Sequence, residues 1–171
     1  MEISQMTTDR KIKNNNIRKR ITGVLCTLFS FILSSCLSND AYSEYRSIKD
    51  MEWGTNDTLM FETRLSDTLV AHLIELEIRK DVKYPYKDLW LEIAVQQDSV
   101  TQLCDTLHLF LSDKNGRALG TGFGTLYQQS DTLGRNFVPH NSKPYFLKVR
   151  HLMSDDFLYG ISDVGIRISK K

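Results

Sequence analysis

The residues best placed to do chemistry are Leu33-Ser34-Ser35-Cys36. A cysteine directly after two small residues is an arrangement for thiol acylation. The thiolate takes the lipid, and the small side chains let the preceding backbone enter a peptidase groove. The residues upstream fit that use. A basic arm holds Arg10, Lys11, Lys13, Arg18, Lys19 and Arg20, and a 13-residue apolar run from Ile21 to Leu33 follows it. A basic arm, a short apolar stretch and small residues before a cut make a secretory signal. The run is also shorter than the ~20 residues a membrane-spanning helix needs. Residues 1–35 therefore read as a lipoprotein signal peptide and Cys36 as the lipidated N-terminus of the mature chain. An uncleaved anchor with an incidental Cys36 is the competing reading, and it leaves the agreement of these three parts unexplained.

No other constellation reaches that specificity. Gly120-Thr121-Gly122-Phe123-Gly124 has the look of a phosphate loop, but such a loop needs a strand before it and a helix with Lys-Ser/Thr after it. Asp113, Asn115 and Gly116 resemble the start of a calcium loop, yet no glutamate closes twelve residues, so a β-turn is the expectation. His72, His108, His140 and His151 are scattered, without a His-x-His or His-x3-His pair, and read as packing residues rather than metal ligands. No serine sits in a nucleophile elbow. The expectation is a non-enzymatic protein without metal or cofactor. Tyr84, Tyr86 and Trp90, with Tyr127 and Tyr145, could offer planar faces to a sugar or a protein partner. Of these, Tyr84, Tyr86 and Trp90 are the candidate ligand surface, against a background expectation that most aromatics are core or rim.

Charge narrows the partners. The chain carries 22 basic and 21 acidic residues, net +1. Six of the basic and two of the acidic ones lie in residues 1–35, leaving 16 and 19, net −3, in a mature chain of 136 residues. That length fits one domain, and the balance excludes the basic face nucleic acid would call for. After Cys26 leaves with the signal and Cys36 is acylated, Cys104 is alone and no intrachain disulfide forms. Alternation puts Cys104 on the face of Thr106, His108 and Phe110, as a small half-buried residue.

The elements that must position these residues are strands. Residues 36–57 are polar and without a period, and read as a lipidated N-terminus and tether, with Trp53 packing on the domain's base. From residue 58 the pattern has period two, the mark of half-buried strands. Leu59, Phe61, Thr63 and Leu65 share a face, as do Val70, His72, Ile74, Leu76 and Ile78. Ser66-Asp67 between them predicts a hairpin. Tyr84-Pro85 interrupts the pattern and raises the chance of a cis bond. Leu89, Leu91, Ile93 and Val95 make the next inward face, then residues 103–111, 145–152 and 161–169 follow. Alternate glycines would give residues 117–127 a bare face at Gly120, Gly122 and Gly124 that another group approaches closely. Residues 153–160 are expected to make a short helical turn. Seven or eight strands spaced by turns predict an all-β fold, one β-sandwich of jelly-roll or immunoglobulin-like type over residues 58–171.

An ordered set of motifs then points to a family. Cys36 is followed by Tyr42-x2-Tyr45-x2-Ile48 and Trp53, by Tyr84-Pro85-Tyr86-Lys87-Asp88-Leu89-Trp90-Leu91, by Asp113-x2-Gly116-x3-Gly120-x-Gly122-x-Gly124, and by residues 158–168, LYGISDVGIRI. In this order they resemble the gliding-motility lipoprotein GldH family of Bacteroidetes across nearly all of the mature chain. The resemblance implies a cell-envelope lipoprotein, needed for gliding in motile relatives, where gliding and type IX secretion are entangled. It implies protein partners among envelope lipoproteins and the gliding or secretion machinery, and it carries no catalytic residues. A carbohydrate-binding lipoprotein using the Tyr/Trp set is the alternative. Leu37, rather than an aspartate, follows Cys36, and Asp40 is a lone early acid. Both favour an outer-membrane protein, anchored through Cys36, whose domain faces the periplasm.

Overall fold

A computed structural model describes residues 40–171. The signal peptide at 1–35, Cys36 and residues 37–39 lie outside the described residues. Among the described residues there are eleven strands: β1 Asp40–Ser47, β2 Glu52–Gly54, β3 Leu59–Thr63, β4 His72–Asp81, β5 Asp88–Gln97, β6 Val100–Phe110, β7 Thr121–Phe123, β8 Leu126–Thr132, β9 Tyr145–His151, β10 Phe157–Tyr159 and β11 Ile161–Lys170. The helical element among the described residues is a single 3-10 turn, Lys49–Met51. The all-β expectation holds.

Two antiparallel sheets carry the fold, ordered β1-β11-β4-β8-β7 and β3-β9-β5-β6. Every second side chain of the long strands is apolar, and those residues form one buried cluster between the sheets. Ile74, Leu76 and Ile78 of β4 and Val164, Ile166 and Ile168 of β11 meet Leu89, Leu91, Ile93 and Val95 of β5 and Leu147 and Val149 of β9. Strand order decides between the two sandwich types. Leaving aside the three-residue strands, β1 pairs with β11, β3 with β9, β4 with β8 and β5 with β6. First pairs with last, second with next to last, and so inward. That is one long antiparallel ribbon rolled on itself, the connectivity of a jelly roll. The short ribbon β2·β10 sits at one end, where Trp53 pairs with Leu158 and both are buried.

Four expectations are corrected. The tether does not extend through residue 57. Asp40 to Ser47 is already strand, paired with β11, and Ile48 and Trp53 are buried. The period was hidden because β1 is an edge strand. The side it turns toward the neighbouring sheet holds Tyr42, Glu44 and Arg46, where Arg46 Nε donates to the Met60 carbonyl at 3.1 Å and its guanidinium lies 5.4 Å from the Phe61 ring.

The Ser66-Asp67 hairpin does not form. β3 and β4 lie in different sheets, because alternation is the same whether successive strands pair or face each other across the core. Residues 153–160 hold no helical turn; Phe157–Tyr159 is strand, with Leu158 buried between two exposed aromatics. Cys104 is exposed rather than half-buried, since its side of the edge strand β6 faces solvent. All peptide bonds of the described residues are trans, Tyr84-Pro85 included.

Candidate functional site

The two outer faces differ in chemistry. On the five-stranded sheet, alternate residues of β4 and β11 build a charged lattice. Arg167 bridges Glu75 at 2.7 Å and Glu77 at 3.0 Å. Tyr45 donates its hydroxyl to Glu77, and the Arg79 guanidinium lies 4.0 Å from the Tyr45 ring centroid. These charges are matched within the face, which suits a solvated surface. Hydrogen bonding and burial beside Glu77 hold the Tyr45 hydroxyl above its ordinary pKa, burial being the larger cause.

The four-stranded sheet instead shows an aromatic row near the start of β5. Trp90 lies opposite His108 in the β5·β6 ladder, and their rings stack at 3.9 Å with 10° between planes. Phe110 leans on the same imidazole at 4.5 Å. On the other side Leu152 donates its N–H to the Trp90 carbonyl at 2.8 Å. Trp90 is 41% exposed, Phe110 59% and Leu152 42%. Single exposed apolar residues are ordinary, whereas these lie side by side.

Polar groups fix this row from below. His108 Nε2 donates to Asp88 Oδ2 at 2.7 Å, and Tyr84 donates its hydroxyl to the Asp88 carbonyl at 2.9 Å. The imidazole is thus locked against the indole. One rung further, Arg150 grips Glu92 through Nε at 2.8 Å and Nη2 at 3.0 Å. β6 is also the end strand of its sheet, so the row borders backbone with one unpaired side. The Asp105 carboxylate accepts the Thr106 N–H at 2.9 Å, which blunts part of that edge.

Of the three aromatics expected to form a surface, Trp90 is exposed, Tyr86 is half-buried and Tyr84 is buried. Burial drives the Tyr84 hydroxyl pKa well up. Tyr86 packs edge-on against Tyr84 and donates to Asp155. The expected platform is therefore not assembled, and Trp90 is joined by His108, Phe110 and Leu152. The sequence held one signal for them: alternation in residues 103–111 puts Phe110 and His108 opposite the inward leucines.

The glycines divide by role. Gly120 and Gly124 have φ of +86° and +65° and bend the chain at either end of β7. Gly122 is extended and faces Tyr127 across the ladder. Asp113 Oδ1 accepts the N–H of Asn115 and of Arg117, each at 2.8 Å, so its carboxylate organises a turn. Among the described residues no three His, Cys, Asp or Glu side chains converge as metal ligands. A cleft of about 460 Å³ lies at the β2·β10 end, lined by residues 54–57 with Asp156 and Phe157. Asp57 there already accepts the Gly54 N–H at 3.2 Å.

Comparison with known proteins places this geometry. Residues 40–168 match the family described as GldH lipoprotein. The chain is 30% identical over 155 residues to the gliding motility lipoprotein GldH homolog of Christiangramia forsetii, covering 86% of this chain and 94% of that one. It is 25% identical over 160 residues to the gliding motility lipoprotein GldH of Flavobacterium johnsoniae, covering 91% of this chain and 99% of that one. Among solved structures, the CBM36-1 domain of a multidomain xylanase from the hindgut metagenome of Trinervitermes trinervoides aligns with 74% of this chain and 87% of its own at 12% identity and a TM-score of 0.38. A likeness of that size bears on neither ligand nor mechanism. The family match spans the described domain from its first strand to its last, and the chain belongs to the GldH lipoprotein family.

Proposed function

We propose that this protein is a non-enzymatic lipoprotein of the cell envelope that serves gliding motility and associated protein secretion by docking on protein partners. It is held by acyl chains on Cys36 in the outer membrane, with its domain in the periplasm. The observation that carries the docking reading is the row Leu152–Trp90–His108–Phe110, exposed beside the end strand β6. Aromatic anchors flanked by polar contacts are what protein interfaces use for most of their binding energy. The glycan reading is weaker on this geometry. One indole face of Trp90 is covered by His108, and Tyr84 is buried, so a flat sugar platform is missing.

The test is site-specific photo-crosslinking in cells, with the photoreactive side chain at position 110. A discrete adduct with an envelope protein is expected, lost on Trp90→Ala and absent when the probe replaces Glu75 on the charged face. No adduct at position 110, together with full complementation of gliding by a Trp90→Ala/Phe110→Ala chain, would overturn the docking surface. Saturable glycan binding lost on Trp90→Ala would move the assignment to carbohydrate.

A further inference from the structure

The described domain begins four residues after Cys36, so the only chain between anchor and sandwich is Leu37-Ser38-Asn39. At ~3.3–3.6 Å per residue, four steps reach at most about 14 Å. This inference rests on the acylation of Cys36 proposed above. With the acyl chains in the bilayer, Asp40 stays within that distance of the headgroups, and the domain cannot stand off from the membrane.

Topology then says which end is held there. Asp40 pairs with Ser169, and Ser169 with Leu73. β1 and β4 are each antiparallel to β11, so they run parallel and enter the sheet from the same end. The residues before β4 therefore lie on the side from which the anchored chain arrives. Those residues are unusual. Leu69 is 74% exposed with φ of +62°, and Val70 is 42% exposed. A left-handed leucine carries a steric cost that asparagine or glycine would avoid, and here it presents an aliphatic side chain to the outside. A second turn meets it: Leu69 donates its N–H to the Pro139 carbonyl at 2.8 Å, beside Val138, which is 37% exposed. Basic groups border this apolar tip. Lys171 donates its N–H to the Ala71 carbonyl, Lys170 pairs with Asp67 at 2.8 Å, and Arg135 is exposed in the turn that follows β8.

We infer that this end of the sandwich is a membrane-contacting surface. Leu69, Val70 and Val138 enter the interface of the bilayer that holds Cys36, and Lys171 and Arg135 meet anionic headgroups, while Lys170 stays paired with Asp67. The acyl chains supply attachment; the tip supplies orientation. It leaves the aromatic row, at the opposite end of β5, turned away from the lipid toward partners. A domain held by one short tether would otherwise sample many tilts.

Depth-dependent quenching tests this in the acylated full chain purified from membranes. In a Cys104→Ser background, a fluorophore sensitive to polarity is attached at Leu69→Cys, at Val138→Cys, or at Asn115→Cys in the turn at the other end. Each protein is placed in vesicles of phosphatidylethanolamine and phosphatidylglycerol, with and without a lipid carrying a quencher on its acyl chain. The expected result is blue-shifted emission and at least about two-fold quenching at 69 and 138, with neither at 115. Acylated protein that floats with the vesicles but is quenched no more at 69 and 138 than at 115 would overturn this surface and leave the anchor standing. A mass without acyl chains, with no flotation, would remove the Cys36 anchor and this surface with it.

Discussion

The ring of Tyr127 lies across Gly122 on the facing strand, where a Cβ on the glycine would come within 2.5 Å of the ring Cδ1. A bare backbone position covered by a cross-strand aromatic recurs in the same sheet. Gly165 of β11 faces Tyr45 of β1, and a Cβ there would sit 2.6 Å from the ring Cε1. Both tyrosines are held by the absence of a side chain opposite them.

Gly122→Val is expected to destabilise the domain by about 1–3 kcal/mol, because the ring must leave its place or the hairpin must open. Gly165→Val should cost more, since β11 lies between β1 and β4 and cannot yield without disturbing both ladders. Thermal melts check the order. A midpoint for Gly122→Val equal to that of the unmodified protein would mean the hairpin moves aside freely, and Tyr127→Ala should restore only part of any loss, because the same Cβ also meets the Leu126 carbonyl oxygen at 2.7 Å.

A buried histidine sets a pH dependence. His151 is 1% exposed, packs edge-on against Trp53 at 5.3 Å and donates from Nε2 to the Trp53 carbonyl, while its Nδ1 has no partner. Burial pushes its pKa below the ordinary 6.5, outweighing the two backbone carbonyls that favour the charged form. The unfolded chain therefore takes up a proton that the fold resists. Stability contributed by neutral His151 should fall as pH drops from 6.5 toward the depressed folded value, and level off below it. Denaturant melts followed by tryptophan fluorescence should show this slope, and His151→Leu should flatten it.

Glu77 is 7% exposed on the charged face, where it receives Tyr45 and pairs with Arg167. Glu77→Ala leaves a hydroxyl and a guanidinium short of their acceptor, and should cost about 1–3 kcal/mol. Glu77→Gln keeps a carbonyl for Tyr45 and should cost less. Equal midpoints for the two variants would show that this carboxylate contributes no hydrogen-bond acceptor of consequence.

The first strand makes the N-terminal boundary testable. A chain beginning at Asn39 keeps β1 against β11, whereas one beginning at Met51 loses that ladder and Ile48 from the core. The shorter chain should melt lower and associate more readily, because β11 becomes an exposed edge. Size-exclusion chromatography beside a thermal melt decides it. If both chains are monomers with the same midpoint, β1 adds nothing to the fold.

Lipidation has its own readout. Cys36→Ala should abolish incorporation of labelled palmitate and leave the unprocessed precursor. Label in the Cys36→Ala chain would mean that another residue carries the lipid.

The sequence alone was enough for the all-β class, the family, and the inward face of each long strand. Those properties are written locally. Period-two alternation in Leu89–Leu91–Ile93–Val95 or Val164–Ile166–Ile168 states which side is buried. Trp53 was likewise legible as a packing residue, whereas the face of Cys104, His108 and Phe110 read as half-buried and proved to be the outer side of an edge strand. What alternation does not encode is the partner strand, since a strand's apolar face is equally satisfied beside its neighbour or across the core from it. Hence Leu59–Thr63 and His72–Asp81 read as a hairpin, and tertiary structure put them in opposite sheets. Edge strand β1 escaped notice for a related reason. Its inner side is closed by Tyr42, Glu44 and Arg46 at a seam, so the pattern that reveals strands was never written there. The site followed the same logic. Trp90 was visible from its position in the alternation, but its stack with His108 depends on the β5·β6 register and the burial of Tyr84 on the turn before β5. Only the folded chain sets both, because they are relationships between segments rather than properties of any one of them.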